Sequence, residues 1–173
     1  MLRELKATLE QCDRDGKDRS EYLQSHLFFG NPGTGETTVA RAMAQILSEL
    51  GVLETDKIVT CSALDLQGSY VGQTKDKVNE KMVEAQGGVL FIDEAYTLGG
   101  GTGSGAFSQE AVDQLVKLMT DPEHLKKTVV ILAGYKKPME RMIEHANEGL
   151  HSRFEGRIEF PDWSADDCVA SIR

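Results

Sequence analysis

The chain has 173 residues, enough for one domain with a substantial hydrophobic core. Hydrophobic residues make up 40% and charged residues 27%, a balance that excludes a disordered or fibrous chain. The formal net charge of −9 argues against free nucleic acid as a partner, and no run of Lys and Arg offsets it.

Cys12, Cys61 and Cys168 are odd in number, far apart and without a CxxC pair, as expected for a reduced intracellular compartment. His26, His124, His145 and His151 make no metal-binding spacing, so no structural metal is expected. No apolar run reaches the length of a membrane span or a signal peptide. These features lead to the expectation of a soluble protein of the cytoplasm or an organelle stroma, with no membrane partner.

The pattern along the chain alternates between strands and helices. Met1 to Gln11 reads as a short amphipathic helix carrying Leu2, Leu5 and Leu9, followed by a polar linker from Cys12 to Ser20. His26 to Phe29 is an apolar run that enters a glycine-rich turn, the signature of a buried strand. Thr38 to Leu50 has helical spacing, and Gly51 stands where a helix-terminating glycine belongs. Lys57 to Cys61 reads as a strand, Lys75 to Gln86 as a helix and Val89 to Ile92 as a buried strand ending in Asp93-Glu94. Gly99 to Gly105 reads as a flexible loop. Ser108 is expected to cap a helix over Gln109 to Met119, which Asp121-Pro122 stops. Thr128 to Ala133 is the most hydrophobic strand, Pro138 to Ala146 a helix and Arg157 to Phe160 a final strand. Ser164 to Arg173 begins another helix. Continuous apolar strands separated by helices require a parallel sheet covered on both faces.

The turn after the first strand reads Gly30-Asn31-Pro32-Gly33-Thr34-Gly35-Glu36-Thr37. It fits the phosphate-loop pattern G-x-x-x-x-G-K-[ST] at every position except the lysine. Glycines let backbone amides converge on phosphate oxygens, and the following helix adds the partial positive charge of its N-terminus. The hydroxyl of Thr37 is placed to ligate Mg²⁺. Glu36 reverses the sign of the missing lysine. Read as an exposed acid, it is ionised at pH 7. One unit charge against another at about 4 Å is worth roughly 4 kcal/mol at an effective dielectric of 20. Nucleotide binding is therefore expected to be badly weakened.

Four apolar residues followed by Asp93-Glu94 form the second half of the signal. Asp93 would hold Mg²⁺ through water and Glu94 would polarise an attacking water.

Taken together, GNPGTGxTTVAR (Gly30 to Arg41), GGVLFIDEAY (Gly87 to Tyr96), VVILAGY (Val129 to Tyr135), SRF (Ser152 to Phe154) and IEFPD (Ile158 to Asp162) resemble the AAA+ ATPases. The likeness is to the group that includes CbbX, the red-type Rubisco activase, and stage V sporulation protein K. The resemblance implies an α/β P-loop NTPase fold, an αβα sandwich with a five-stranded parallel sheet of order 5-1-4-3-2. It divides the chain into an N-terminal helix and linker (1–24), a nucleotide-binding domain (25–162) and the start of a truncated lid (163–173). ATP and Mg²⁺ are the implied cofactors, held by Asn31, Pro32, Gly33, Thr34, Gly35, Glu36, Thr37, Thr38 and Tyr135, with Thr37 and Asp93 on the metal. Asp93, Glu94 and Arg153 are the implied catalytic residues. Arg153, in a Ser-Arg motif, would act as an arginine finger on a neighbouring subunit's nucleotide; Arg157 is its runner-up, better read as a solvated edge-strand residue. Tyr70-Val71-Gly72 resembles the tip of a central pore loop that grips a protein client, and the Gly99–Gly105 loop stands where a second pore loop would be.

The resemblance further implies a homo- or hetero-oligomeric ring, usually a hexamer, that spends ATP to remodel or thread a protein. Without a lid, this fragment is expected to stay monomeric. Glu36 opens a different reading, a non-catalytic pseudo-ATPase acting as a structural or regulatory ring subunit. A nucleic-acid-directed clamp loader is disfavoured by the negative charge.

Overall fold

The structure is a computed structural model, and it describes residues 11, 14–16, 23–31, 33–70, 72–99, 105–146, 148–154 and 156–162. The expected helix over residues 1–11 (all but Gln11), Pro32, Val71, the middle of the glycine loop (100–104) and the expected helix from Ser164 lie outside those residues.

Five strands form one sheet: β1 (His26–Phe29), β2 (Ile58–Ser62), β3 (Val89–Asp93), β4 (Val129–Gly134) and β5 (Gly156–Glu159). Their order is β2-β3-β4-β1-β5 and all four pairings are parallel. Read from the other edge, that is the expected 5-1-4-3-2. In register, Leu27 of β1 faces Leu132 of β4 on one side and Arg157 of β5 on the other.

Strand alternation splits the core in two. Leu27, Phe29, Leu90, Ile92, Val130 and Leu132 point to one face. There they meet α2 (Gln73–Glu84) through Val78 and Met82, α3 (Gly105–Thr120) through Ala111, Val112 and Leu115, and α4 (Lys136–Ala146) through Met139, Met142 and Ile143. Phe28, Val89, Phe91, Val129, Ile131 and Ala133 point to the other face. They bury α1 (Glu36–Glu49) through Ala40, Met43, Ala44 and Leu47, a spacing of three and four residues along one helical stripe. Burial on both faces is why these strands read as unbroken apolar runs.

The helix ends depart from the sequence reading in instructive ways. Gly51 terminates α1 as expected: at φ +67 its N–H donates to the Ser48 carbonyl while that of Val52 donates to Leu47. Ser108, however, is not a cap. The third helix begins at Gly105, and Ser108 lies inside it, fully buried, its hydroxyl donating to the Thr97 carbonyl at 3.4 Å. That acceptor is supplied by a 3-10 turn, Ala95–Gly99, too short to leave a periodic signal in the sequence. Pro138 falls within the first turn of α4, where its missing N–H costs nothing. One helical turn, α5 (Glu148–His151), and the placement of β5 one residue early are further differences, and α1 and α2 each begin two residues before their expected starts.

Candidate nucleotide site

In a parallel sheet the C-terminal ends of all strands share one edge, and ligand sites form there. Here that edge gathers the loop after β1, the end of β3 and the end of β4 around a cleft of about 350 Å³. Gly30, Gly33, Gly35, Glu36, Thr37 and Thr38 line one side; Asp93, Glu94, Tyr96, Gly134 and Tyr135 line the other. The loop can turn its amides inward because Gly33 and Gly35 hold φ of +85 and +101, and Gly35 is the residue before α1, with no side chain capping the helix. The first residues of α1, whose N–H groups a helix leaves without intrahelical partners, thus line the cleft.

The acidic pair is held by backbone geometry. Asp93 ends β3 and accepts the Glu94 N–H at 2.7 Å. Glu94 sits at φ +49, a left-handed conformation that costs a non-glycine residue of order 1–3 kcal/mol and collects at functional sites. The Thr97 N–H and hydroxyl both donate to the Glu94 carbonyl at 3.0 Å, which fixes the turn. Both acids are exposed to the cleft's solvent.

Glu36 is not the exposed, ionised acid that the sequence suggested. It is 9% exposed, its Oε1 is sealed from solvent without a hydrogen-bond partner, and that oxygen lies 3.2 Å from where a Cβ on Gly30 would stand. Burial first, and the Asp93 carboxylate second, push its pKa from 4.5 up to about 7. Burial thus favours the protonated carboxyl up to near-neutral pH. None of the described residues lining the cleft is Lys, Arg or His.

Tyr135 follows β4, stands at the cleft 38% exposed, and packs its ring 5.5 Å from that of Tyr96. Gly134 makes room for this pair, since a Cβ there would come within 2.8 Å of the Tyr96 ring. Burial, then the nearby Glu94 carboxylate, raises the Tyr96 phenol above its ordinary range. Sequence reading quoted Tyr96 only as part of a string. Its spacing two residues beyond Glu94 was the available signal.

Other expected site residues fall elsewhere. Asn31 and Thr34 do not line the cleft; they close the loop beneath it, Thr34 donating through N–H and hydroxyl to the Asn31 carbonyl at 3.2 and 2.9 Å. The Asn31 amide donates to Asp162 at 2.5 Å, beside a neighbouring cleft. Tyr70 is 76% exposed at a bend just before α2, where Gly72 at φ +88 starts the helix. Arg153 precedes β5, at the opposite edge of the sheet, about four to six strand residues and hence roughly 15 Å of sheet from the phosphate loop. Its Nη1 donates to the Gly149 carbonyl at 2.7 Å and to the Ser152 hydroxyl at 3.2 Å. Arg157 is exposed on edge strand β5, as the solvated reading expected.

Residues 26–162 match the model of the ATPase family associated with various cellular activities (AAA). The chain belongs to the AAA family of ATPases. Stage V sporulation protein K of Bacillus subtilis is 44% identical over 143 residues, which are 83% of this chain and 43% of that protein. The chromosomal CbxX protein of Cupriavidus necator is 45% identical over 140 residues, 81% of this chain and 43% of the relative. The ESX-1 secretion system protein EccA1 of Mycolicibacterium smegmatis is 44% identical over 147 residues, 83% of this chain and 25% of that protein. The chain thus spans less than half the length of these AAA relatives. Among the described residues of this AAA domain, no helix is long and apolar enough to cross a membrane.

Proposed function

We propose that residues 25–162 form the nucleotide-binding domain of an AAA motor that binds and hydrolyses Mg·ATP to thread or remodel a protein client, within a ring of like or related subunits, and that Glu36 impairs this activity in the present chain. The observation that carries this reading is the convergence of the Gly33–Thr38 loop, Asp93 and Glu94 on one cleft. The site suits magnesium brought by the nucleotide. No group of three His, Cys, Asp or Glu able to hold a metal unaided exists among the described residues, and Mg²⁺ favours a hydroxyl, a carboxylate, waters and phosphates together. Thr37 and Asp93 would hold that ion, which would supply charge neutralisation at the phosphates, while Glu94 would orient a water and Tyr135 would contact the nucleotide. The loop residues from Asn31 to Thr38, Pro32 included, would hold the phosphates. Arg153, remote from its own cleft, would serve an adjacent subunit, and exposed Tyr70, with Val71 and Gly72, would contact a client. Residues 1–24 would then be a leading helix and linker, and 163–173 the start of a lid.

Glu36 favours a second reading. A carboxyl in the lysine's seat withdraws an attraction and, when ionised, adds a repulsion, which supports weak nucleotide binding and a structural or regulatory place in a mixed ring. Calorimetric titration with Mg·ATP of this chain and of Glu36→Lys separates the two. Little binding by the parent and clear binding by Glu36→Lys is the expected result. Equal, tight binding by both would refute the charge argument, and equal failure of both would show that Glu36 is not what limits binding.

A further inference from the structure

One ring joins the two strand ends that carry Glu94 and Tyr135. Tyr96 lies two residues beyond Glu94, in the 3-10 turn Ala95–Gly99 that follows β3, and it lines the nucleotide cleft. That turn is firmly held. Thr97 donates through its N–H and its hydroxyl to the Glu94 carbonyl, and Ala95 and Leu98 are buried in the core. Tyr96 packs against the same buried cluster, which includes Met139 and Met142 of α4.

From this anchorage the ring crosses to the end of β4. A Cβ on Gly134 would stand 2.8 Å from Tyr96 Cδ1 and 3.3 Å from its Cε1, so the ring lies against the bare α-carbon of that glycine. The Gly134 carbonyl accepts the Gly30 N–H at 3.2 Å, which bonds the glycine under the ring to the first residue of the phosphate loop. Next along the chain, the Tyr135 ring stands 5.5 Å from that of Tyr96 with the planes tilted by 44°, a favourable aromatic geometry. The two rings are unequal partners. Tyr96 is rooted in the core cluster, whereas Tyr135 is 38% exposed. The Tyr135 backbone is fixed by its carbonyl, which accepts the Met139 N–H at 3.0 Å where α4 begins. Its side chain would still have a choice of rotamers, and the neighbouring Tyr96 ring narrows that choice.

We infer that Tyr96 is a positioning residue of this site: its ring sets Tyr135 at the cleft and ties it, through the turn that also shapes Glu94, to the acidic pair. The inference rests on the proposed nucleotide-binding function, in which Tyr135 meets the nucleotide and Glu94 orients a water. Tyr96 acts here through its ring, since the contacts that define its place are made by ring carbons against Gly134 and by ring against ring at Tyr135. Phenylalanine should therefore serve in its place. An aliphatic side chain would fill the core but give the Tyr135 ring no aromatic face to rest on.

Two measurements test it. In the nucleotide-free chain labelled with fluorotyrosine, ¹⁹F relaxation reports the motion of the Tyr135 ring. Tyr96→Leu should free that ring on the ps–ns timescale, and Tyr96→Phe should restore its rigidity. In the full-length assembly carrying Glu36→Lys, Tyr96→Leu should lower kcat for ATP hydrolysis roughly tenfold while KM stays within about twofold, and Tyr96→Phe should recover the rate. Added to Tyr135→Leu, Tyr96→Leu should cost nothing further, because both break the same pair. Tyr135→Leu, at an exposed position, keeps the test readable should Tyr96→Leu fail to fold: the Tyr96 ring, rooted in the core, should stay as rigid as in the parent. The inference is overturned by unchanged Tyr135 relaxation in Tyr96→Leu, by Tyr96→Phe behaving like Tyr96→Leu, by a loss carried in KM alone, by additive losses in the double variant, or by a Tyr96 ring that loosens in Tyr135→Leu. Failure of Glu36→Lys to bind Mg·ATP would remove the motor reading alone; the Tyr135 relaxation would then decide the inference by itself.

Discussion

Replacing Glu36 by Gln keeps the side chain's shape and removes its titration. The folded carboxyl titrates at about 7 against an ordinary 4.5. Below pH 4.5 it is protonated folded or unfolded and contributes nothing to stability. Between those values the unfolded chain ionises first, so stability falls as pH rises; above 7 the whole penalty is present. A rise of roughly 2.5, at ~1.4 kcal/mol for each tenfold, amounts to about 3 kcal/mol. For a domain of this size, 1 kcal/mol moves the melting temperature by about 2–4 °C, so Glu36→Gln should melt roughly 6–12 °C above the parent at pH 8. Melts followed by circular dichroism from pH 4.5 to 8.5 should show the gap closing as pH falls. Equal melting at pH 8, or an offset constant across the range, would refute the claim that Glu36 is desolvated in the cleft.

Two further substitutions probe the outlying site residues. Tyr70→Ala, at a side chain 76% exposed, should change stability by no more than about 0.5 kcal/mol while abolishing the unfolding of a tagged model substrate by the full-length assembly. Undiminished unfolding activity would remove Tyr70 from client contact. Arg153→Ala, made in the Glu36→Lys background, should leave Mg·ATP affinity of the isolated chain within about twofold but lower ATP hydrolysis by the assembled ring by roughly 10³-fold or more. Loss of affinity in the isolated chain would contradict the separation of Arg153 from its own cleft.

The strands themselves were legible because β1, β3 and β4 are buried on both faces, so their apolar runs stand out from the helical periodicity around them; their order came only from the family resemblance. The phosphate loop and Asp93-Glu94 were legible because parallel topology forces strand C-termini to one edge, which makes their convergence a consequence of connectivity. What was hidden depends on partners distant in sequence. The burial of Glu36 and the approach of the Asp93 carboxylate appear only in the fold, and with them the raised pKa that sequence alone misjudged. Ser108 reads as a cap until the Thr97 carbonyl arrives from a turn with no period of its own. His124 and Thr128 look like loop residues. Only the fold shows that the His124 ring and the Thr128 hydroxyl are buried.

The central claim is that a magnesium nucleotide lodges between the loop amides and the acidic pair. A crystal structure of Glu36→Lys with Mg²⁺ and a non-hydrolysable ATP analogue tests it most directly. The triphosphate should lie along the amides of residues 33–38, with the ion about 2.1 Å from the Thr37 hydroxyl, Asp93 linked to it through water and Glu94 facing the terminal phosphate. A nucleotide bound elsewhere, or phosphates placed beyond water-mediated reach of Asp93 and Glu94, would contradict the account.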